Sequence, residues 1–308
     1  MVALACAEAR PDDAGLFVAV GYGGRRITSR DGAHWENDQL WSKGDADNDD
    51  VLFDVAFGAG RFIAVGGGER AGHILSTTDG RDWHPVQEVI GRVATITYGG
   101  GRFVAAHDAE LMSSRDGTKF ESGTRLAWKG NIRARRSACG ETEAGFCFVI
   151  IGDIDLWADR KRVHWRGVTV DGTRWDHTTL DAPAALDITF GAGHFVVVGP
   201  AGLIESSHDG QAWERHATDP AENFTRVVWT GARFLVSGGS ALWTSPDGLT
   251  WARQPAAPPC DLAWARESFL GLGFSSGGNV FTSRDFVAWK KAALPPGPSL
   301  NAVAFGLP

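Results

Sequence analysis

The stretch that decides the fold reads Ser29-Arg30-Asp31-Gly32-Ala33-His34-Trp35. It is the first of seven copies of a Ser/Thr-x-Asp-Gly-x-x-Trp pattern. The other copies run over 77–83, 114–120, 169–175, 207–213, 245–251 and 283–289, with Phe120 replacing the tryptophan in one and Phe286 replacing the glycine in another. Successive motif aspartates are 48, 37, 55, 38, 38 and 38 residues apart. A period of 38 residues with two longer intervals predicts a repeat architecture.

Each repeat contains four short runs of β-branched and aromatic residues separated by glycine turns. In the second repeat these runs are 53–58, 61–65, 73–77 and 83–86. Four strands in about 40 residues is the spacing of a propeller blade. The sequence therefore predicts an all-β fold: one domain over residues 1–308 that forms a seven-bladed β-propeller of four-stranded antiparallel blades.

The repeated motif has a local structural role between strands three and four of each blade. Its aspartate can accept hydrogen bonds from backbone N–H groups of its own turn, and its glycine suits a positive φ. The tryptophan can pack beneath the hairpin. We therefore expect the motifs to support the fold and not to carry chemistry.

The seven motifs resemble those of Asp-box (BNR, sialidase-like) β-propellers, and the resemblance covers nearly the whole chain. This family includes glycoside hydrolases, polysaccharide lyases, lectins, sorting receptors and photosystem assembly factors, so the resemblance implies the fold but no single activity. It also implies a secreted or periplasmic location, although no intact signal peptide is visible.

The ends of the chain compete for one place in the ring. Eight segments resemble a first strand, one more than the motifs, and both 2–6 and 300–306 are among them. We expect the C-terminal copy to complete the first blade, because a strand donated from the far terminus closes the ring and removes a free edge.

Composition limits the possible partners. The net charge of −7 disfavours bulk nucleic-acid binding. No apolar run approaches the length of about 18 residues that a membrane span needs. We expect a monomer. Cys139 and Cys147 flank a predicted hairpin turn, where a disulfide between them is one possibility.

Four insertions are predicted to be loops on one face of the propeller: 37–50, 66–72, 121–135 and 152–165. Extra loop length on one face of a rigid scaffold is typical of a binding surface. Trp41, Trp128 and Trp157 lie in these insertions and outside the motifs. An exposed tryptophan there suits stacking on a sugar or anchoring a protein, whereas packing of the loop onto the scaffold is the alternative.

Alignment of the first strands places polar residues at the mouth of the central channel. Asp54, Arg136, Asp187, Arg226 and Asp261 occupy equivalent positions. They predict either a self-satisfied ring of ion pairs or a ligand site, in which the arginines hold an anion and the aspartates accept from hydroxyl groups.

The first functional hypothesis is a non-catalytic recognition propeller that binds a glycan or a protein. The second is a carbohydrate-active hydrolase or lyase, for which Asp54, Asp187 and Asp261 are the candidate catalytic residues. Sialidase activity is disfavoured because no Arg-x-Pro-like element accompanies the only tyrosines, Tyr22 and Tyr98.

A third hypothesis follows from the cluster Arg133, Arg135 and Arg136, since the photosystem-assembly propellers that the chain resembles use an arginine-rich surface. No cofactor is expected. Asp45, Asp47 and Asp49 are spaced like the start of a calcium loop, but Asp50 stands where the loop glycine belongs, which favours a solvated acidic loop.

Overall fold

The computed structural model describes residues 15–41, 48–107, 110–126, 130–143, 145–158, 160–180, 183–238, 241–254, 261–265, 268–272, 280–283, 288–292 and 294–308. For 241, 261–265 and 268–272 it describes the backbone. This part of the chain folds into seven four-stranded antiparallel sheets, as the repeat count predicts. Two short 3-10 turns, Tyr22–Gly24 and Asn48–Asp50, are the helical elements of the described residues, and none of these is long enough to cross a membrane.

The strands follow the repeats. Sheet 1 contains β1 (Leu16–Gly21), β2 (Arg26–Ser29) and β3 (Trp35–Gln39); sheet 2 contains β4 (Leu52–Gly58), β5 (Arg61–Gly67), β6 (Gly72–Thr77) and β7 (His84–Pro85). Sheet 3 contains β8 (Val93–Gly99), β9 (Arg102–His107), β10 (Glu110–Ser114) and β11 (Glu121–Arg125); sheet 4 contains β12 (Gly130–Thr142), β13 (Gly145–Leu156), β14 (Lys161–Thr169) and β15 (Asp176–Leu180).

The remaining sheets are smaller. Sheet 5 contains β16 (Asp187–Gly191), β17 (His194–Gly199), β18 (Leu203–Ser207) and β19 (Glu214–Arg215); sheet 6 contains β20 (Arg226–Trp229), β21 (Phe234–Gly238), β22 (Ala241–Ser245) and β23 (Ala252–Gln254). Sheet 7 contains β24 (Asp261–Ala265), β25 (Ser268–Leu272), β26 (Val280–Ser283) and β27 (Lys290–Lys291), and the last strand, β28 (Leu300–Gly306), belongs to sheet 1.

The C-terminal strand takes the first position of sheet 1, as predicted. Strand β28 pairs antiparallel with β1, which places Phe305 opposite Phe17 with their ring centroids 4.8 Å apart. The competing N-terminal segment 2–6 lies outside the described residues. The first strands β28, β4, β8, β12, β16, β20 and β24 contact one another in this order, and β24 contacts β28 again.

Buried Arg25 holds the C-terminal segment in place. Its guanidinium donates two hydrogen bonds to the carboxylate of Asp38, at 2.9 and 2.8 Å, and one each to the carbonyls of Pro295 and Pro298, at 2.7 and 2.6 Å. Charge-assisted hydrogen bonds of this kind are roughly twice as strong as neutral ones. The last stretch of the chain is thereby fastened to sheet 1 before it enters β28.

The hydrophobic core lies in the seams between sheets. One cluster joins Val18 and Leu52 of sheets 1 and 2, and equivalent clusters follow between successive sheets. A further cluster brings Phe17 and Ile27 of sheet 1 against Val280 of sheet 7. Both faces of each sheet are therefore covered, which explains the continuous apolar runs of the second strands.

An aromatic ring packs on a glycine at five of these seams. The ring of Tyr98 in β8 lies against Gly58 of β4, so that a Cβ added to the glycine would be 2.1 Å from the ring. The same contact joins Phe57 to Gly306, Phe146 to Gly99, Phe190 to Gly140 and Trp229 to Gly191. Only glycine allows neighbouring first strands to approach this closely.

Hydrogen bonds from backbone N–H groups to motif side chains recur in the turns of the first six motifs. In the sixth motif the N–H of Gly248 donates to the hydroxyl of Ser245 at 2.8 Å, and Asp247 accepts from the N–H groups of Leu249 and Thr250, both at 2.8 Å. These backbone hydrogen bonds lower the pKa of Asp247. The glycines of the first six motifs have φ between 70° and 82°. The indole of Trp251 donates to the carbonyl of Gly248 at 3.1 Å.

Two of the predicted loop insertions are largely strand: 121–135 contains β11 and the start of β12, and 152–165 is mostly the hairpin of β13 and β14. In 66–72, residues 68–71 form a turn between β5 and β6, as a loop prediction requires. In sheet 4 the physical reason is a period of two: Ile132, Ile154 and Trp165 are buried on one face of the extended strands. Of the insertion 37–50, residues 42–47 lie outside the described part of the chain.

The possible disulfide between Cys139 and Cys147 is absent, and both thiols are free. Cys139 pairs across the hairpin with Phe148, while Cys147 pairs with Gly140. The two cysteines are thus one residue out of register, and side chains one residue apart point to opposite faces of a sheet. Burial raises the pKa of the Cys139 thiol to about 11.

Deletion of residues 299–308 should remove most of the stability of the protein. It takes away β28 and exposes both the edge of β1 and the cluster around Phe17. We expect a loss above about 5 kcal/mol, which is comparable with the whole stability of many domains. Urea unfolding followed by tryptophan fluorescence measures it. Deletion of residues 307–308 alone is the control, and equal stability of the two deletions would show that the pairing of β28 with β1 contributes no stability.

The seam contact predicts energetic coupling between Gly58 and Tyr98. Gly58→Ala should cost about 1–3 kcal/mol through overpacking against the tyrosine ring. Gly60→Ala, where an added Cβ meets nothing but φ is +74°, should cost only the backbone strain. In a Tyr98→Ala background the cost of Gly58→Ala should shrink and that of Gly60→Ala should not change. A double-mutant cycle of unfolding free energies tests this, and additivity at both sites would refute it.

Candidate recognition site

A cavity of about 280 Å³ opens where the first strands of sheets 2 to 5 begin. Topology places the hairpin tip between β13 and β14 on the same face of the molecule. We call this the cavity face. Five arginines and one aspartate provide the polar part of the lining, which we call the arginine cavity: Arg92, Arg133, Arg135, Arg136, Arg162 and Asp153.

The extension of sheet 4 presents these charges because it is amphipathic. Ile132, Ile154 and Trp165 on one side join a cluster with Leu111 of sheet 3. The other side carries the residues between them, since alternate residues of a strand face opposite ways. The long strands thus pack on the scaffold with an apolar side and expose a charged one.

One row of charges is built around Asp153, whose side chain is only 6 % exposed. Its carboxylate accepts a hydrogen bond from Nε of Arg135 at 2.7 Å and one from Nδ1 of His164 at 2.6 Å. Its backbone carbonyl accepts from the indole of Trp165 at 3.3 Å. Asp153 therefore holds Arg135 at the cavity while its own charge stays compensated.

A second row lies further out on the same side of the extension. Arg162 donates two hydrogen bonds to the carboxylate of Asp155, at 2.6 and 3.2 Å, and Arg133 lies 3.7 Å from the same carboxylate. The hydrogen bond with Arg162 lowers the pKa of Asp155 and raises that of Arg162. The side chains of Arg133 and Arg162 remain about half exposed and are open to a ligand.

The inner part of the site contains the predicted residues Arg136, Asp187 and Arg226. Nε of Arg136 lies 3.8 Å from a carboxylate oxygen of Asp187. Burial lowers the pKa of Arg136, and the charge of Arg226 lowers it further. Burial raises the pKa of Asp187, although the charges of Arg226 and Arg136 oppose the shift. The structure thus brings these three charges together, as the alignment of first strands predicts.

The candidate catalytic aspartates accept hydrogen bonds from neighbouring sheets. Asp54 accepts from the N–H of Ile96 at 3.1 Å and from the hydroxyl of Thr95 at 2.8 Å, and Asp187 accepts from the N–H of Val227 at 2.9 Å. The two contacts are equivalent in the repeat. Hydrogen bonds between a carboxylate and the backbone of the next sheet favour a structural role for Asp54 and Asp187 over general acid–base catalysis. The side chain of Asp261 lies outside the described part.

The candidate tryptophans differ in their surroundings. Trp41 packs over Gly24 and under the guanidinium of Arg26, which is 4.8 Å from the ring centroid, and it meets His73 edge-on. Trp157 stands at the tip of the β13–β14 hairpin with 72 % of its surface exposed. Trp128 lies outside the described residues. Of these two described side chains, Trp157 is thus the more accessible to a partner, since Trp41 is 40 % exposed and packs on the scaffold with the rest of its surface.

Two of the three aspartates of the calcium hypothesis, Asp45 and Asp47, lie outside the described residues. Asp49 lies in the second 3-10 turn, and its carbonyl accepts a hydrogen bond from His73 at 2.7 Å. Within the described ranges, no group of three or more His, Cys, Asp or Glu side chains is placed to hold a metal ion.

Sequence analysis did not single out Arg92 or His164 as site residues. Arg92 precedes β8, and its guanidinium stacks 5.3 Å from the ring centroid of Phe53 in the neighbouring sheet. His164 is a cross-strand neighbour of Asp153. The signal for His164 was the alternation of charged and apolar residues along the predicted insertion, which indicates a strand.

No protein-family model matches the chain, and no curated protein matches it in sequence. Among solved structures, it is similar to YCF48 bound to D1 peptide, with 18 % identity, a TM-score of 0.57 and coverage of 87 % of this chain and 85 % of that one. It is also similar to the β-propeller domain of Cps50 (Swd1) from Myceliophteria thermophila, with 11 % identity, a TM-score of 0.53 and coverage of 82 % and 89 %.

A third similar structure is the WD40 β-propeller domain of Doa1, with 12 % identity, a TM-score of 0.53 and coverage of 82 % of this chain and 84 % of that one. At these identities the likeness establishes the fold alone. The seven sheets correspond to seven blades, and the chain is a β-propeller.

Proposed function

We propose that this β-propeller is a non-catalytic recognition protein that binds an acidic segment of a partner protein at the arginine cavity. The observation that carries the proposal is the convergence of five arginines on one cavity in a chain with a net charge of −7. A local positive site attracts acidic segments, while the net negative charge of the whole molecule disfavours their binding elsewhere on its surface.

The charges of the site do not cancel. Asp153 and Asp155 compensate part of the positive charge of Arg133, Arg135 and Arg162. Arg92 and Arg136 add two more guanidinium groups to the lining, and Asp187, 3.8 Å from Arg136, offsets part of that charge. Five guanidinium groups thus face three carboxylates. An excess of positive charge therefore remains, and about half of each of the Arg133 and Arg162 side chains faces solvent.

Guanidinium groups suit carboxylates because they offer paired N–H donors in a planar fork. The side chains are also held in advance, since Asp153 orients Arg135 and Asp155 orients Arg162. Preorganised donors lose less conformational entropy when a ligand binds. Exposed Trp157 at the hairpin tip supplies an apolar anchor for a partner on the same face.

The likeness to YCF48, whose structure holds a D1 peptide, agrees with peptide recognition by a propeller of this kind. The proposal thus joins the protein-binding and assembly-factor hypotheses. It includes a closed seven-bladed ring, which the pairing of β28 with β1 supports, and Asp-box turns, which the turn hydrogen bonds support. It also includes the secreted or periplasmic location that the Asp-box resemblance implies. A glycan has less support, because Trp41 is packed on the scaffold.

A charge-reversal experiment tests the proposal. The probe is a fluorescein-labelled glutamate-rich 15-residue peptide, with a glutamine-rich peptide of the same length as its counterpart, and binding is followed by fluorescence anisotropy. Arg133→Glu/Arg162→Glu should weaken binding of the acidic peptide at least about tenfold, which corresponds to 1.4 kcal/mol. Binding should also weaken with added salt.

The matched control is Arg81→Glu/Arg174→Glu, which makes the same change of charge at exposed arginines elsewhere, each with an acidic neighbour within 4.0 Å. The control should bind like the wild type. Equal loss in both variants would show that only net charge matters and would contradict the proposal. Trp157→Ala tests the apolar anchor separately and should weaken binding without changing its salt dependence.

A further inference from the structure

Two histidines converge on the face opposite the arginine cavity. His194 begins β17 and His208 lies in the repeated turn after β18, so that they stand opposite each other one residue beyond the pair Phe195 and Ser207. Their Nε2 atoms are 3.2 Å apart. We infer that this cross-strand pair is a binding site for a divalent transition-metal ion such as Zn²⁺, Ni²⁺ or Cu²⁺.

The pair is particular to sheet 5. His194 directly precedes a phenylalanine of the second strand that recurs in several repeats. At this position sheets 2, 3 and 6 have Arg61, Arg102 and Arg233. At the position of His208 the same sheets have other residues: Thr78, Arg115 and Pro246. The fold does not require histidine at either place, and sheet 5 alone among these sheets has it at both.

The hydrogen bond at Nδ1 of His194 fixes the tautomer in which Nε2 offers its lone pair towards His208. Its Nδ1 lies 3.0 Å from the carbonyl oxygen of Ala192. Because a carbonyl oxygen only accepts, Nδ1 carries the proton, and Nε2 of the neutral ring then presents a lone pair. Metal-binding histidines commonly donate their second ring nitrogen to a backbone carbonyl or carboxylate in this way, which fixes both the tautomer and the ring.

The distance between the nitrogens suits one shared ion. Two imidazole nitrogens at 2.0–2.1 Å from a tetrahedral zinc ion lie about 3.3 Å apart. The ring centroids are 4.0 Å apart, and the rings are inclined by 44°. When both lone pairs point at one tetrahedral ion, the ring centroids lie about 5 Å apart. The ring of His208 must therefore turn outward by about 1 Å, and its exposed position permits this movement. Without metal, an N–H···N hydrogen bond from His208 to His194 accounts for the contact.

The site offers two protein ligands, because the described part of the chain has no third such side chain placed to complete a metal group. His216 lies on the same sheet, but its Nε2 is 2.7 Å from the hydroxyl of Ser206. Water or a ligand atom would fill the other coordination positions. This arrangement differs from closed structural zinc sites, which have four protein ligands. Imidazole ligands favour zinc, copper and nickel over calcium or magnesium.

Isothermal titration of tag-free full-length protein with ZnCl₂ tests the inference, and CuCl₂ with electron paramagnetic resonance gives an independent view of the ligands. We expect one equivalent of each ion and a copper spectrum with two nitrogen ligands. His208→Ala should weaken binding at least about tenfold, since even changes in the outer shell of metal sites cost 10–100-fold.

A second variant guards against indirect effects on folding. His194→Arg introduces the residue that sheets 2, 3 and 6 have at this position, so the fold should persist while metal binding is lost. His84→Ala, at an exposed histidine in β7, is the matched control and should bind like the wild type. Zinc binding that is unchanged in His208→Ala, or no saturable binding by the wild type, overturns the inference.

Discussion

The contact of an aromatic ring with a glycine at the end of neighbouring first strands sets the spacing on which the rest of the fold depends. Where Tyr98 rests on Gly58, or Trp229 on Gly191, no Cβ fits between ring and backbone. Neighbouring first strands therefore converge at this end, and apolar side chains of successive sheets meet in the seams. Because the same contact recurs, the opposite ends of these strands line up as well, and that is where the arginine cavity opens.

Sheet 4 modifies this plan without disturbing it. Its strands continue beyond the repeat, and their apolar side extends the seam with sheet 3. On the charged side of the extension, Asp153 and Asp155 bind the arginines in two rows. The ion pairs of Asp155 are partly exposed, and such pairs add little stability. We therefore interpret these rows as a means of orienting guanidinium groups, which agrees with recognition of an acidic partner.

The candidate site was partly accessible from the sequence. Alignment of first strands identified Asp54, Arg136, Asp187 and Arg226 as equivalent, because residues in register within a repeat occupy equivalent positions. It did not show that Asp54 and Asp187 bind backbone N–H groups of the next sheet. That contact depends on the spacing between sheets. The segments 121–135 and 152–165 were predicted as loops, because length beyond the repeat was given more weight than their alternating pattern.

The sequence by itself determined the repeat, and with it the number of sheets and the positions of the turns, and it favoured the C-terminal segment for the strand beside β1. These follow from local spacing, turn chemistry and the need to cover a strand edge. Only the tertiary structure decided which side chains meet. Arg92 joins Arg162 at one cavity, and His194 meets His208, because distant strands are brought into register. Such encounters depend on distances between strands and sheets, and the repeat pattern gives equivalent positions but not these distances.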